Sequence, residues 1–584
     1  MNHGYFFFCT VVFFIGLACV RFGYKAFGGT LIGIVVTILM IDLPWRAAEA
    51  LSAHHLAFRH WFAPHHVRFI LGWGLASMCL GLAAALGAAG FKPGPNEADW
   101  ETPKDSPAVD KALAGILRDK SGVDETLLGV TKSRWRASLS TRERDGHMQI
   151  VGPTRTGKSQ LLLSIAAQDM KAKLPMFFME AKGDCGDFEQ FLKIAALAGR
   201  EDSVRYFNPQ DDCSMTFNPI RPVSGQDATA IANQIARAIG REATSSGEGQ
   251  DYYRAVDYAK LQTMAEVFFA TGRAFTLRDC YYYFAFPEAR EKALKLCSDR
   301  RLIELARSEF KVNPDSSGLT AALRPWTSGR LGELLNSYSP QIRLEDVFQQ
   351  GQSAYFAIPI GHLQTLANPL GRMVISGLLS IAAARQRAEH KPKPATIILD
   401  EFSEFATPVF ASFIATVGSA RLRTILSHQD LGQLKRVEGM DTDAFESVIF
   451  NNTSGCKVVF RSPDPDDAEF WAAMMGTHIA TRDTERLEGG ILGGKRQTGS
   501  VSRRIVERFK IHPNVIKSLP PGAAIVMAPG RAECVVRTAR VHQILNKLHV
   551  PKLPTPTMPA EKGLDLRAAV PDYDEAPDLG EVGA

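Results

Sequence analysis

One stretch of eight residues combines the side chains that bind a nucleotide phosphate. It consists of Gly152, Pro153, Thr154, Arg155, Thr156, Gly157, Lys158 and Ser159. Glycines let the backbone N–H groups approach a phosphate, the lysine reaches its β and γ oxygens, and the serine hydroxyl ligates Mg²⁺. The spacing therefore predicts a phosphate-binding loop for Mg-ATP, with contacts from all eight residues and from Gln160.

Two acidic residues end an apolar run further along the chain. The run Thr396-Ile397-Ile398-Leu399 is followed directly by Asp400 and Glu401. An aspartate in this place holds Mg²⁺ through water, and the adjacent glutamate polarises the water that attacks the γ-phosphate. Since acids often end strands, the motif gains its meaning from the phosphate-binding loop. We predict Asp400 and Ser159 as metal ligands, and Glu401 and Lys158 as catalytic residues.

A third apolar run ends in an amide. Residues 423–428 have the pattern of a strand, and Gln429 follows. A polar side chain in this place can sense the γ-phosphate or orient water, so Gln429 is a candidate catalytic residue. The alternative, a polar strand end on the surface, stays open.

The elements that must position these residues are those of an α/β fold. Residues 147–151 form a predicted buried strand before the loop, and a helical pattern begins at Gln160. From about 130 to 550, short apolar runs alternate with helical patterns, which indicates a largely parallel sheet. Between 223 and 330, helix-forming and charged residues dominate, which predicts an inserted all-α block.

The N-terminal region is strongly apolar. It contains three apolar stretches, at 5–20, 27–43 and 69–91, and the third has no charged residue. A bilayer span needs about 20 apolar residues, so we expect a membrane anchor of two or three spans over 1–91. A small periplasmic loop would cover about 45–68, although its arginines fit the positive-inside rule poorly.

Composition excludes some classes of protein and leaves others open. The nine cysteines form no C-x-x-C pair, which argues against a disulfide framework or a zinc site. The net charge of +5 neither requires nor excludes a polyanionic partner. Prolines and mixed charge predict a linker over 92–129, and prolines with an acidic finish predict a disordered tail over 551–584.

Taken in order, these motifs resemble the type IV secretion coupling proteins of the TraD/TraG type, within the wider FtsK/HerA class. Besides the loop and Asp400-Glu401, the resemblance includes 180–184 (Glu-Ala-Lys-Gly-Asp), 217–220 (Phe-Asn-Pro-Ile), 452–461 and 519–522. It covers about residues 1–545. Its fold would be a RecA-like P-loop ATPase domain over 130–222 and 331–550, with an inserted all-α domain over 223–330 and N-terminal transmembrane helices.

The resemblance also implies a function. Coupling proteins are inner-membrane hexameric ATPases that couple a relaxase–DNA complex to a type IV secretion channel and pump single-stranded DNA during conjugation. The implied partners are single-stranded DNA with bound relaxase, inner-membrane components of the secretion system, membrane lipids and further copies of the chain. Two alternatives stay open: a receptor that recruits protein effectors, and a duplex DNA translocase of the chromosome-partition type.

In such a ring a neighbouring subunit supplies an arginine to the γ-phosphate. By resemblance, Arg421, about twenty residues after Asp400, is the first candidate for this catalytic arginine, and Arg461 is the second. An ordinary surface ion pair is the alternative for either residue.

Overall fold

The described residues lie in the second of two units of the chain, which spans Pro95–Ala584. The computed structural model describes residues 100–103, 107–118, 125–241, 250–388, 390–406, 408–436, 442–489 and 495–570. The predicted membrane anchor over 1–91 lies outside the described residues.

A sheet of eleven strands organises this unit. The strands are β1 (Glu125–Thr131), β2 (Arg136–Ser140), β3 (Met148–Val151), β4 (Met176–Glu180), β5 (Val204–Phe207), β6 (Ser353–Ala357), β7 (Ala395–Leu399), β8 (Leu422–His428), β9 (Cys456–Val459), β12 (Ala523–Met527) and β13 (Cys534–Arg537). Their order in the sheet is β2-β1-β13-β12-β9-β3-β8-β7-β4-β6-β5. Two longer strands, β10 (Thr477–Gly489) and β11 (Lys495–Phe509), form a separate antiparallel hairpin.

The seven strands from β9 to β5 are parallel, and the four others add antiparallel pairs. The predicted mixed α/β fold with a mostly parallel sheet is therefore confirmed. Both faces of the parallel part are covered. In β4, Phe177 and Met179 lie in one buried cluster, whereas Met176 and Phe178 lie in another. This explains why the parallel strands are apolar throughout rather than alternating.

The described residues contain nineteen α-helices. They are α1 (Ala108–Arg118), α2 (Thr141–Arg144), α3 (Lys158–Lys171), α4 (Cys185–Leu197), α5 (Ala228–Ala238), α6 (Gln250–Ala270), α7 (Leu277–Ala285), α8 (Pro287–Leu296), α9 (Arg300–Val312), α10 (Ser317–Leu323), α11 (Gly329–Leu335), α12 (Leu344–Gln349), α13 (Ile360–Leu363), α14 (Ala367–Gln386), α15 (Pro408–Thr416), α16 (Thr442–Asn452), α17 (Pro465–Met475), α18 (Pro513–Ser518) and α19 (Val541–Leu545). Helices α5 to α12 lie between β5 and β6, where the sequence predicts a helical block.

One helical stretch among the described residues, Ile360–Gln386, is long and apolar enough to cross a membrane. Most of its apolar window is buried inside the protein, and Leu370, Val374 and Leu378 are fully buried. In this structure it is a core helix of the sheet domain.

The predicted linker over 92–129 is partly wrong. Residues 108–118 form α1, and β1 already begins at Glu125. Leu113 and Leu117 of α1 are buried, and Asp110 accepts a hydrogen bond of 2.7 Å from the backbone N–H of Arg540. The prolines near this segment led to the prediction of a linker, but residues 108–118 form a short amphipathic helix that packs on the sheet domain.

The predicted disordered tail over 551–584 is also wrong for residues 551–570. This segment, which we call the strap, crosses the inserted helices. Leu564 and Leu566 are fully buried, and Glu561 forms ion pairs with Arg343, at 2.7 Å, and with Arg221. The prolines keep the strap extended, and the leucines anchor it. Residues 571–584 lie outside the described residues.

Replacing Leu566 by alanine should release the strap. Burying a leucine side chain stabilises by about 2–5 kcal/mol relative to alanine, so the docked state should weaken by that amount. Limited proteolysis of the full-length protein should then cut residues 551–570 much faster. Leu566→Met, which keeps the volume, is the matched control; equal cleavage of wild type and Leu566→Ala would contradict the docking.

Candidate nucleotide-binding site

The predicted phosphate-binding loop runs from the end of β3 to the start of α3. Two of its glycines are required by space as well as by backbone freedom. A Cβ on Gly152 would lie 2.6 Å from Cβ of Phe460, and one on Gly157 would lie 3.2 Å from Cα of Gly522. Gly157 also has a φ of 113°, which other residues rarely adopt. The loop therefore leads into the N-terminus of α3, where an anionic phosphate is favoured.

Lys158, the first residue of α3, points back across the loop. Its Nζ donates to the carbonyl oxygen of Gly152 and lies 3.4 Å from Oε1 of Glu401. The side chain is almost fully buried, and this burial lowers the pKa of Lys158, while Glu401 and Asp400 act in the opposite direction. Lys158 Nζ thus lies between the phosphate-binding loop and the acidic pair, where it can contact the phosphate oxygens of a bound nucleotide.

The acidic pair follows β7, two strands from β3 in the sheet. Oδ1 of Asp400 accepts hydrogen bonds from Oγ of Ser427, at 2.7 Å, and from the backbone N–H of Glu401, at 3.2 Å. Glu401 has the left-handed φ of 53°. A non-glycine residue in this conformation carries strain, which functional sites commonly retain. The turn directs the Glu401 side chain toward Lys158.

Gln429 joins the same group from the end of β8. Its Nε2 donates to Oε1 of Glu401 at 3.3 Å. Burial raises the pKa of Glu401, against the lowering effects of Lys158, Lys182 and the Gln429 hydrogen bond. The predicted residues Lys158, Glu401 and Gln429 therefore meet around one carboxylate oxygen, with Gln429 half-buried at the end of its strand.

The turn after β4 contributes residues to which the sequence analysis gave no role. Lys182 Nζ lies 3.5 Å from Oδ2 of Asp400 and 3.8 Å from Oε1 of Glu401. Glu180 accepts hydrogen bonds from the backbone N–H groups of Lys182 and Gly183. Burial raises the pKa of Glu180 to about 7. The sequence feature that could have indicated a role for these residues is Glu-Ala-Lys-Gly-Asp at 180–184. It stands at the end of a buried strand, as Asp400-Glu401 does.

Two more side chains complete the polar lining. Asp187, in the first turn of α4, lies beside Ser159, and burial raises its pKa. Ser427, on β8, orients Asp400 as described above. Neither was predicted, because their contacts depend on which strands and helices are neighbours in the sheet.

The residues present fit a nucleotide with Mg²⁺. The loop offers a glycine cradle at a helix N-terminus, and Ser159 and Asp400 are oxygen donors of the kind that Mg²⁺ prefers. Oε2 of Glu401 is buried and has no hydrogen-bond partner in the structure. A buried carboxylate oxygen without a partner is costly, and a water held against the γ-phosphate would satisfy it.

Other predicted contact residues have additional or different roles. Thr156 accepts a backbone hydrogen bond from Gly522 at 2.7 Å, and its hydroxyl donates to Pro153. Thr154 and Arg155 are exposed. The side-chain oxygen of Gln160 accepts from the backbone N–H of His542 at 3.0 Å. The Gln160 side chain therefore ties α3 to α19 in this structure.

Arg421 is not brought to the site within its own subunit. It precedes β8, at the opposite end of that strand from Gln429, and its Nη1 donates to the carbonyl oxygen of Pro392 at 3.1 Å. The second candidate, Arg461, follows β9 on the same sheet edge as the phosphate-binding loop and is exposed.

One segment of the chain matches a model of a known protein family. Residues 394–521, which include Asp400, Glu401 and Gln429, match the family model described as the TraM recognition site of TraD and TraG. This confirms the resemblance to the coupling proteins. The match covers the acidic motif of the site, but not the phosphate-binding loop. No match is found among curated protein sequences.

The fold is shared with a solved structure of a conjugative coupling protein. The bacterial conjugative coupling protein TrwBdeltaN70, in an unbound form, has a TM-score of 0.52 and 17% identity, over 75% of this chain and 93% of that chain. TrwB with the GTP analogue GDPNP has a TM-score of 0.49 and 17% identity, over 74% and 93%. VirB4 of Thermoanaerobacter pseudethanolicus has a TM-score of 0.46 and 12% identity, over 72% and 97%.

Replacing Ser427 by alanine should weaken metal binding. The substitution removes the 2.7 Å hydrogen bond that orients Asp400, and loss of such a supporting contact costs about 10-fold to 100-fold in metal affinity. The Mg²⁺ concentration for half-maximal binding of a fluorescent ATP analogue should rise about tenfold or more. Thr424→Val, on the same strand, removes a buried hydroxyl without a partner, and should leave this concentration unchanged. An unchanged value in Ser427→Ala would refute the orienting role.

Proposed function

We propose that this chain is an ATPase that hydrolyses Mg-ATP and belongs to a conjugative DNA-transfer apparatus as its coupling protein. The observation that carries the proposal is the meeting of Lys158, Asp400, Glu401 and Gln429 at one edge of the sheet, beside a glycine-rich loop. They come from three places: Lys158 from the start of α3, Asp400 and Glu401 from the end of β7, and Gln429 from the end of β8. Lys158 and Gln429 each contact Oε1 of Glu401, and Asp400 directly precedes Glu401 in the chain.

The chemistry of phosphoryl transfer assigns a role to each residue. Ser159 and Asp400 would hold Mg²⁺, which would supply positive charge to the phosphate oxygens. Lys158 would give up its contact with Glu401 and neutralise the phosphate oxygens. Glu401, with Gln429 on its Oε1, would orient a water through Oε2 and take up its proton. Burial, which raises the pKa of Glu401, suits it to accept that proton.

The wider function rests on the coupling-protein resemblance. TrwB structures are described with GDPNP, with ADP and Mg²⁺, and with an ATP analogue, which agrees with the proposed ligands. We place the chain in the bacterial inner membrane as a homo-hexamer that moves single-stranded DNA with its relaxase, and contacts membrane lipids and secretion-system components. The segment similar to the TraM recognition site of TraD and TraG would contact a protein of the TraM type.

A DNA-dependent ATPase assay tests this proposal against its alternatives. The full-length protein at low salt should hydrolyse ATP faster with single-stranded DNA than without it. The stimulation should fall as salt rises, because DNA phosphates are bound by cationic side chains. Duplex DNA as the better activator would favour a chromosome-partition translocase. Stimulation by a secreted protein and not by any DNA would favour an effector receptor.

Lys158→Ala and Glu401→Gln should each reduce ATP turnover by about 100-fold or more, since each removes a group that stabilises or prepares the transition state. Their binding behaviour should differ: Lys158→Ala loses nucleotide affinity, whereas Glu401→Gln retains it. Lys193→Ala, on the neighbouring helix α4, is the matched lysine control. Near-normal turnover in either site variant would overturn the assignment.

Mixing two inactive variants tests the proposed role of Arg421. Arg421→Ala has an intact phosphate-binding loop, and Lys158→Ala has an intact arginine. If Arg421 serves the neighbouring subunit, mixed rings contain interfaces with both groups, and activity should reappear after mixing. Arg461→Ala provides the parallel test of the second candidate. Full activity of Arg421→Ala alone would exclude it as the catalytic arginine.

A further inference from the structure

The site contains a second lysine whose position the mechanism above does not use. Lys182 Nζ lies 3.5 Å from Oδ2 of Asp400 and 3.8 Å from Oε1 of Glu401. Oδ1 of Asp400 is already engaged by Ser427. The lysine therefore faces the one oxygen of Asp400 that is left to meet a metal ion.

Charge balance explains why a cation lies there. Asp400 and Glu401 are adjacent and both almost fully buried, and Asp187 and Glu180 lie close by. Nζ of Lys158 lies within ion-pair distance of Glu401 and not of Asp400. Without Lys182 or a divalent cation, Asp400 would thus be a buried carboxylate with no ion-pair partner, which is costly. The Lys182 ammonium supplies that partner.

The backbone of the turn is held while the side chain has room to move. Glu180 fixes the N–H groups of Lys182 and Gly183. Gly183 has a φ of 73°, and a Cβ there would lie 2.8 Å from Pro359. The Lys182 side chain, by contrast, is 37% exposed, against 4% for Asp400. Its four-carbon stem can swing the ammonium toward solvent without any change in the turn.

We propose that Lys182 is a built-in substitute for the metal: its ammonium neutralises Asp400 while the site lacks Mg²⁺, and Mg²⁺ binding displaces it. The inference rests on the proposed function, because it takes Asp400 as a metal ligand. Two cations cannot share one carboxylate oxygen without strong repulsion. Mg²⁺ must therefore compete with Lys182, and the competition sets the Mg²⁺ concentration at which the site fills.

Lys182 is then a positioning residue that affects both the stability of the metal-free protein and the apparent affinity for Mg²⁺. In the metal-free state it stabilises the protein by compensating Asp400. In the metal-bound state it contributes little, so it lowers the apparent affinity for Mg²⁺. Removing its charge should move these two quantities in opposite directions: stability without metal falls, and affinity for metal rises. A lysine that binds phosphate would instead strengthen binding of Mg-nucleotide.

The test is a Mg²⁺ titration of the full-length protein with a fluorescent, non-hydrolysable ATP analogue. Lys182→Met keeps the length of the side chain and removes its charge. We expect its half-saturating Mg²⁺ concentration to fall about fivefold, the effect of losing one partly exposed ion pair. Lys182→Arg should restore a value close to wild type. Lys193→Met, a lysine of α4 outside the recorded ion pairs of the site, is the matched control.

Thermal unfolding supplies the second measurement. In EDTA, Lys182→Met should unfold at a lower temperature than wild type, and saturating Mg²⁺ with nucleotide should remove most of the difference. An unchanged or higher half-saturating Mg²⁺ concentration in Lys182→Met would overturn the inference, and a higher one would make Lys182 a phosphate ligand. Failure of wild type to bind the analogue at any Mg²⁺ concentration would instead overturn the proposed function.

Discussion

The backbone hydrogen bonds that tie the phosphate-binding loop to three neighbouring segments are the constraint on which the site depends. The N–H of Gly152 donates to His428 at 3.2 Å, Phe460 donates to Val151 at 2.8 Å, and Gly522 donates to Thr156 at 2.7 Å. The loop is thus fixed between the ends of β8 and β9 and the segment before β12. Because Gln429 directly follows His428, the position of the loop and the position of the amide are set together.

Burial beneath the loop strengthens this coupling. His428 is fully buried, and its ring contacts the side chain of Gln149 at 2.9 Å and the carbonyl of Asp430 at 2.8 Å. Burial lowers the pKa of His428 to about 4, so the ring is neutral at physiological pH. A neutral ring between Gln149 and Asp430 adds no positive charge beside Lys158. The positive charge beside the acidic pair therefore comes from the buried Lys158 and the partly exposed Lys182.

The sequence predicted best the residues that stand next to an apolar strand. Lys158, Asp400 and Gln429 each follow a buried run closely, and in a parallel sheet the carboxyl ends of such strands share one edge. Ser427 and Lys182 were not predicted, because their contacts with Asp400 require β8 and β4 to flank β7. The order of strands depends on long-range packing rather than on local pattern. The strap was missed for the same reason, since Leu564 and Leu566 are buried only against the helices of the insertion.

The distance between the two ends of β8 also decides which γ-phosphate Arg421 can reach. Strand β8 has seven residues, and a strand rises about 3.3 Å per residue, so its ends are about 20 Å apart. Arg421 stands at one end, and Gln429 follows the other. An arginine side chain cannot span that distance, so the proposed catalytic role requires the γ-phosphate of another subunit. In such a contact, the Arg421 surface of one subunit meets the nucleotide-binding surface of the next. Subunits joined repeatedly in this way form a closed ring when the rotation between neighbours allows it.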